Sequence, residues 1–222
     1  MKAATALLSA SHAHNNLCAS PGDGLCVEPD PRLADCLSAM SIAEILRENA
    51  ELRRTLAELQ DLRELAHRDA LTGLWNRRYF EKRMAEELSR ARRDPSRQFT
   101  LVIVDLNNMK QVNDCFGHDV GDRTLKWVAS FLQGNLREYD VTCRLGGDEF
   151  ALLLPDAGAD DASHTLARLR TRLIAANSHR DIPVGLSFGA ATYPEHGVTD
   201  SGLFVHADAA MYQDKRRQKG ME

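Results

Sequence analysis

The sequence predicts an α/β (α+β) domain: a ferredoxin-like βαββαβ sheet with helices on one face, preceded by one long helix. Three observations carry this expectation. "FTLVIVDL" and "FALLLP" are apolar runs of strand length, the second closed by proline. Strand and helix patterns follow one another in the order β-α-β-β-α-β, with further helices at both ends. Ahead of them, apolar residues recur every seven positions in "SIAEILRENAELRRTLAELQDLRELAHRD".

The 222 residues suffice for one medium domain and an extension. A formal charge of −4 leaves no electrostatic footprint for nucleic acid. No apolar run is long enough to span a bilayer. The start, "MKAATALLSASHA", has one lysine and small residues, but its apolar part is too short and alanine-rich for a secretory leader. The cysteines are Cys18, Cys26, Cys36, Cys115 and Cys143. An odd number without a CxxC pair indicates neither a disulfide framework nor a zinc site, and a reducing cytoplasm fits.

Residues 1–40 read as an irregular or disordered tail, because "CASPGDGLCVEPDPRLADC" is rich in Pro, Gly and Asp. His12, His14 and the three nearby cysteines could bind a metal, but their irregular spacing favours an incidental tail.

Residues 41–68 read as a helix. Ser41 and Glu44 form a capping box. Ile45, Leu52, Leu59 and Ala66 make the seven-residue row; Asn49 and Leu56 lie four positions after its first two members, and Arg63 breaks that second row. Leu62 and Leu65 continue the apolar face in a shifted register. Arg47–Glu51, Arg54–Glu58 and Glu64–Arg68 are spaced as helix-surface pairs. The helix would run about 28 residues, roughly 40 Å at 1.5 Å per residue. A polar Asn49 on the seam points to a parallel coiled coil, and so to a homodimer.

Residues 69–222 form the domain. "NRRYFEKRMAEELSRARRD" is helical, "FTLVIVDL" a buried strand, and "VGDRTLKWVASFLQGNLREYD" a helix. "DVTCRL" and "FALLLP" make a hairpin with Gly146 and Gly147 as its turn, and Asp148 and Glu149 just past it. A helix ("DDASHTLARLRTRLIAANS"), a strand ("VGLSFGAATY") and a last helix ("SGLFVHADAAMYQDKRRQ") complete it. The topology sets the first strand beside the hairpin, so Asp105 at its end comes close to Asp148. Two carboxylates there, with no obvious cation to pair them, repel unless a divalent metal resolves the charge. Hard oxygen ligands suit Mg²⁺ or Mn²⁺ shared with substrate phosphates. Glycine at the turn lets a phosphate approach the backbone.

The stretches "DALTGLWNRRYF", "DLNNMKQVNDCFGHDVGD", "RLGGDEF", "LSFGAATYPEHG" and "ADAAMYQDK" occur in that order between Asp69 and Gly220. With them the chain resembles the diguanylate cyclase family, the GGDEF domain, over nearly the whole of that span. The resemblance implies a palm-type fold related to nucleotide cyclases, acting as a dimer. It also implies a reaction: two GTP joined into cyclic di-GMP with release of two pyrophosphates. Asp105, the backbone carbonyl of Leu106, and Asp148 would hold the metals. Asp148, or Glu149 beside it, would take the proton of the ribose 3′-hydroxyl. Amides at Asn107, Asn108 and Met109, beginning a short helix, would bind phosphate, and Lys110 would stabilise transition-state charge. Asn113 and Asp122 match the guanine-reading pair. An ionised carboxylate only accepts, which suits guanine N1–H and N2–H₂ and rejects adenine. His118 matches a substrate-associated position, though a loop-anchoring histidine explains it equally. Lys215 and Lys219 would contact phosphates.

Arg137 and Asp140, the "REYD" ahead of the hairpin, match an inhibitory product site that Arg168 would complete. Several positions depart from the family pattern. Asn107 and Met109 replace an Asp and a Phe, while Asp214, Gln218 and Lys219 replace Ala, Gly and Arg. Lysine keeps the charge at 219 without the bidentate fork. The competing reading is a catalytically weak domain that binds cyclic di-GMP and docks a partner. For an active cyclase, a regulatory protein gripping the N-terminal helix, or the tail before it, would switch activity.

Overall fold

The two strands at the centre of the sheet are apolar at almost every position, so both of its faces must be covered. These strands are β2 (Phe99–Asn107) and β4 (Glu149–Pro155). They are flanked by β3 (Val141–Gly146), β5 (Gly185–Tyr193) and the two-residue β1 (Trp75–Asn76). The sheet order is β1-β3-β4-β2-β5. β1 pairs with β3 in parallel and every other pairing is antiparallel. The computed structural model describes residues 42–220. The tail 1–40 and Ser41 of the capping box lie outside them, as do the side chains of Leu59, Leu62 and Arg63 on the seam.

The helices are α1 (Ile42–Ala66), α2 (Arg77–Arg93), α3 (Met109–Phe116), α4 (His118–Gly134), α5 (Ala159–Asn177) and α6 (Asp200–Lys219). Val102, Val104, Phe150, Leu152 and Phe188 face α4 and α5, packing with Val128, Leu132 and Leu169. The alternate residues Leu101, Ile103, Ala151 and Leu153 face α2 and α6, packing with Phe80, Met84, Leu203 and Met211. The expectation of helices on one face is thereby corrected. The helices added at the two ends of the βαββαβ unit cover its second face, because strands this apolar leave no face for water. β1 was also not expected; two residues are too few to carry an alternating pattern.

α6 approaches β5 backbone to backbone. A Cβ on Gly189 would lie 2.0 Å from Ala207 O and 2.1 Å from Met211 N, so only glycine fits there. Cys143 is wholly buried in the second core, and burial pushes its thiol up to about 12.

The chain divides into two units that part within α1, between Ala57 and Glu58. In the first, the predicted seam residues Ile45, Leu52 and Leu56 are exposed. Asn49 Nδ2 donates to Ile45 O of its own helix at 3.0 Å. In the second, α1 ends at Ala66, so Arg68 is off the helix and does not pair with Glu64. Its guanidinium instead lies 3.5 Å from the Trp75 ring centre and donates to Gly73 O. No helix among the described residues is long and apolar enough to cross a membrane.

Candidate active site

The site grows from one pairing. β2 and β4 are antiparallel with Asp105 opposite Glu149, and the next amide, Leu106 N–H, donates to Asp148 O at 3.0 Å. Asp105, Leu106, Asp148 and Glu149 therefore meet at adjacent strand ends. The turn sits one residue later than expected. Gly146 pairs with Glu149, so the two-residue loop is Gly147-Asp148, with Gly147 at φ 54°. The register shifts between Arg144 and Gly146, and this bulge moves the turn. Asp148 thus stands in the turn itself.

Arg144 ties that turn down. Its Nε and a terminal nitrogen donate to Gly147 O at 3.1 and 2.7 Å, and its other terminal nitrogen donates to Asp69 Oδ1 at 3.1 Å. Asp69 also accepts from Thr72 N–H at 2.8 Å and Thr72 Oγ1 at 2.6 Å. Burial pushes the Asp69 carboxyl up, but the Thr72 and Arg144 hydrogen bonds outweigh it, and the carboxyl lies below its ordinary range.

Asp105 is buried, and it is not without a cation. Lys215 Nζ of α6 lies 2.5 Å from Asp105 Oδ1. This corrects the expectation of carboxylates lacking an obvious counter-charge. The two positions are far apart in the chain and meet only because α6 packs on the sheet.

Three of the five departures from the family pattern, Asn107, Asp214 and Gln218, are bonded to one another. Asn107 Nδ2 donates to Gln218 Oε1 at 2.8 Å, and Ser187 Oγ donates to Asn107 Oδ1 at 2.8 Å. Gln218 Nε2 donates to Leu186 O at 3.0 Å and to Asp214 Oδ2 at 3.1 Å. Asp214 further accepts from Phe188 N–H at 2.9 Å and from both terminal nitrogens of Arg170, at 3.3 and 2.9 Å. Reading the positions singly missed this network and, with it, Arg170 and Ser187. The available signal was the spacing: Asp214 and Gln218 are four apart on one helix face.

Asn107 closes β2, opposite Gly185, and does not begin the next helix. Asn108 follows at φ 58°, in the left-handed region, and α3 starts at Met109, which is buried. Of the three amides expected at a helix start, then, one belongs to the strand. Lys110 is exposed on α3, while His118 and Asp122 are exposed on the first turns of α4. Asn113 Oδ1 is buried without a hydrogen-bond partner. Asn108 and Lys219 border a groove of about 470 Å³ with Asn107, Pro183, Gly185 and Gln218. Asp105, Asp148 and Glu149 are not part of its lining.

Arg137, Asp140 and Arg168 lie elsewhere. Asp140 Oδ2 accepts from Arg137 N–H at 2.9 Å, while the Arg137 guanidinium donates to Tyr139 OH at 3.0 Å. Arg137 and Asp140 line a hollow with Arg68 and Trp75. Burial pushes the Asp140 carboxyl up, against the Arg137 hydrogen bond and the charges of Arg137 and Arg168. Arg168 donates to Asn135 O at 3.2 Å.

No three His, Cys, Asp or Glu side chains converge among the described residues. A cation at Asp105 and Asp148 would rest on two carboxylates, the Leu106 carbonyl and ligand phosphates. That all-oxygen set fits Mg²⁺ or Mn²⁺ and not a soft metal.

A palm-type sheet with acids near the end of β2 and at the β3–β4 turn defines the class of GGDEF proteins. The family model "Diguanylate cyclase, GGDEF domain" matches residues 66–221, and the chain belongs to that family. The diguanylate cyclase TpbB of Pseudomonas aeruginosa (strain UCBPP-PA14) is 41% identical over 182 residues, covering 77% of this chain and 41% of that protein. The chain thus spans about two fifths of that relative's length. The coiled coil and GGDEF domain of DgcB from Caulobacter crescentus, solved with c-di-GMP, aligns with a TM-score of 0.68 at 27% identity, covering 78% of this chain and 93% of that one. SiaD from Pseudomonas aeruginosa, solved with its activator SiaC, aligns with a TM-score of 0.68 at 31% identity, covering 97% of this chain and 79% of that one.

Proposed function

We propose that this chain is a diguanylate cyclase that condenses two GTP into cyclic di-GMP and releases two pyrophosphates. The observation that carries the reading is the junction of Asp105 and Asp148, locked by the Leu106 N–H to Asp148 O hydrogen bond. Asp105, the Leu106 carbonyl and Asp148 would hold Mg²⁺ or Mn²⁺. When bound, such an ion lowers the pKa of the ribose 3′-hydroxyl and neutralises phosphate charge. Asp148, at the tip of the turn, accepts the hydroxyl proton, with Glu149 as its neighbour. Lys110 faces the charge that develops at the α-phosphorus. The Asn108 and Met109 amides, Lys215 and Lys219 hold the phosphates.

Guanine is read by Asn113 and Asp122, with His118 nearby. The exposure of Asp122 and His118 on the first turns of α4 supports this, since an ionised carboxylate only accepts and so suits the N–H donors of guanine. Each domain binds one GTP, so two must face each other. The exposed seam of Ile45, Leu52 and Leu56 supports pairing through α1 as a parallel coiled coil. Product would bind at Arg137 and Asp140 and slow the reaction; the solved c-di-GMP complex of DgcB supports a product-binding surface in a relative. A protein regulator acting on the N-terminal region is supported by the likeness to SiaD, solved with its activator. The test is direct: incubate the purified chain with GTP and Mg²⁺ and identify the nucleotide product by chromatography. GTP left unconsumed by a folded dimer would remove the reading.

A further inference from the structure

The residues around Lys215 are arranged to leave it one partner. Asp214, its neighbour on α6, accepts from Arg170, from Phe188 N–H and from Gln218 Nε2. Both of its oxygens have donors and its charge is met by Arg170, so it does not draw the Lys215 ammonium to itself. Gln218, one turn on, donates to Leu186 O and accepts from Asn107. Leu186 O and Phe188 N–H lie on the outer edge of β5, which no strand among the described residues covers. Two side chains of α6 thus take the place of a neighbouring strand and fix the rotation of that helix. With α6 fixed, Lys215 Nζ lies on Asp105 Oδ1, and the Asp105 side chain is only 11% exposed. A buried carboxylate without a counter-charge is strongly disfavoured, and Lys215 removes that penalty.

We propose that the Lys215 ammonium is the resident counter-cation of Asp105, positioned by the Asn107–Gln218–Asp214 clamp, and that a divalent metal binds only in exchange for it. This rests on the reading of Asp105 and Asp148 as metal ligands. A divalent ion on Asp105 and an ammonium on the same carboxylate oxygen would be like charges a few ångströms apart. The ammonium must therefore leave, and the phosphates of a bound nucleotide give it a new partner. Metal and nucleotide then bind cooperatively, since the nucleotide compensates the lysine that the metal displaces. Asn107, Asp214 and Gln218 are positioning residues: they touch neither metal nor substrate but hold Lys215 where it competes.

The test measures Mn²⁺ binding to the full chain without nucleotide, by the electron paramagnetic resonance of free Mn²⁺. Lys215→Met, which keeps the length and removes the charge, should tighten Mn²⁺ by roughly tenfold, as removal of a like charge at ion-pair distance implies. Gln218→Ala should tighten it by about threefold, since it loosens the clamp without removing the ammonium. Adding Gln218→Ala to Lys215→Met should give no further gain, a non-additivity that mere loss of packing does not produce. Thermal melts of each variant establish that it is folded. Mn²⁺ affinity unchanged or weakened in a folded Lys215→Met chain overturns the counter-cation role and leaves the metal site standing. Absence of Mn²⁺ binding in both wild type and Lys215→Met overturns the metal site and the exchange together.

Discussion

The two ends of β3 each carry an arginine and an aspartate, and the two pairs are built in opposite ways. At the hairpin end, Arg144 and Asp69 form a closed ion pair with side chains 12% and 24% exposed. Arg144 also donates to Gly147 O through Nε and its second terminal nitrogen, and Asp69 Oδ1 also accepts from Thr72 N–H and Oγ1. At the other end, Arg137 and Asp140 are joined only through the Arg137 main chain. The Arg137 guanidinium is turned out to Tyr139, over an open hollow. A pair tied to its own loop on both sides holds a fold; an arginine with unmet donors beside a half-buried carboxylate is set to meet a ligand. The same two residue types therefore predict different consequences when removed.

The largest effect should come at the turn that the closed pair holds. Asp148→Ala removes a proposed metal ligand and proton acceptor from a hairpin tip and no core volume. Cyclic di-GMP synthesis should disappear while the melting temperature stays within a few degrees of wild type. Near-normal turnover by the folded variant would mean that the hairpin is not the catalytic element.

Next is Arg144 itself. Arg144→Ala loses charge-assisted bonds to Gly147 and Asp69 and leaves Asp69 half-compensated, which should cost about 2 kcal/mol in denaturant unfolding. Synthesis should fall with it, because the carbonyl of Gly147 anchors the peptide that carries Asp148. Arg144→Lys should not restore either, since lysine cannot fork onto Gly147 and Asp69 at once. Arg137→Ala is the contrast. Its stability should change by less than about 0.5 kcal/mol, as expected of an exposed side chain. Initial velocity should stay at the wild-type level while inhibition by added cyclic di-GMP is relieved. A variant inhibited as strongly as wild type would return Arg137 to the role of an ordinary junction residue.

Much of this was legible in the sequence, and what was not has a common cause. The hairpin, the buried strand carrying Asp105 and the helix order are local patterns of apolar period and turn chemistry, and the structure has them, although β2 runs past Asp105 to Asn107. The fault at the turn was one residue, because a bulge at Leu145 leaves no trace in a Gly-Gly pair. The second layer of helices was legible in principle: a strand such as "LVIV" that is apolar on consecutive residues needs cover on both sides. The pairing of Asp105 with Lys215 and of Asn107 with Gln218 was not. Those residues are 110 and 111 positions apart. Such contacts depend on the rotation of α6 on β5, which Gly189 and the Asp214 bonds decide together. Residues that looked like three independent losses at 107, 214 and 218 are in fact one hydrogen-bonded set.

The smallest effect sharpens the comparison most, because the two aspartates should respond to acid with opposite sign. The Asp69 carboxyl lies below its ordinary value of 3.8 in the folded chain. The unfolded chain therefore binds its proton first as pH falls. Asp69 contributes stability above about pH 4 that is lost as pH drops through its folded value. The Asp140 carboxyl lies above the ordinary 3.8, pushed up by burial. The folded chain then binds that proton first, so the contribution of Asp140 is most favourable at low pH and is lost as pH rises through its folded value. Melting temperatures of wild type, Asp69→Asn and Asp140→Asn between pH 3 and pH 7 separate the two. Asp69→Asn should lower the melting temperature at pH 7 and converge on wild type toward pH 3, flattening the acid limb. Asp140→Asn should converge at the same acid end but lie above wild type at pH 7, where the half-buried charge has been removed. Both shifts should be small, of the order of a degree or two, since each carboxyl is partly open to solvent. Curves that move in the same direction for both variants would show that the two arginine–aspartate pairs are not the opposites that their hydrogen bonds describe.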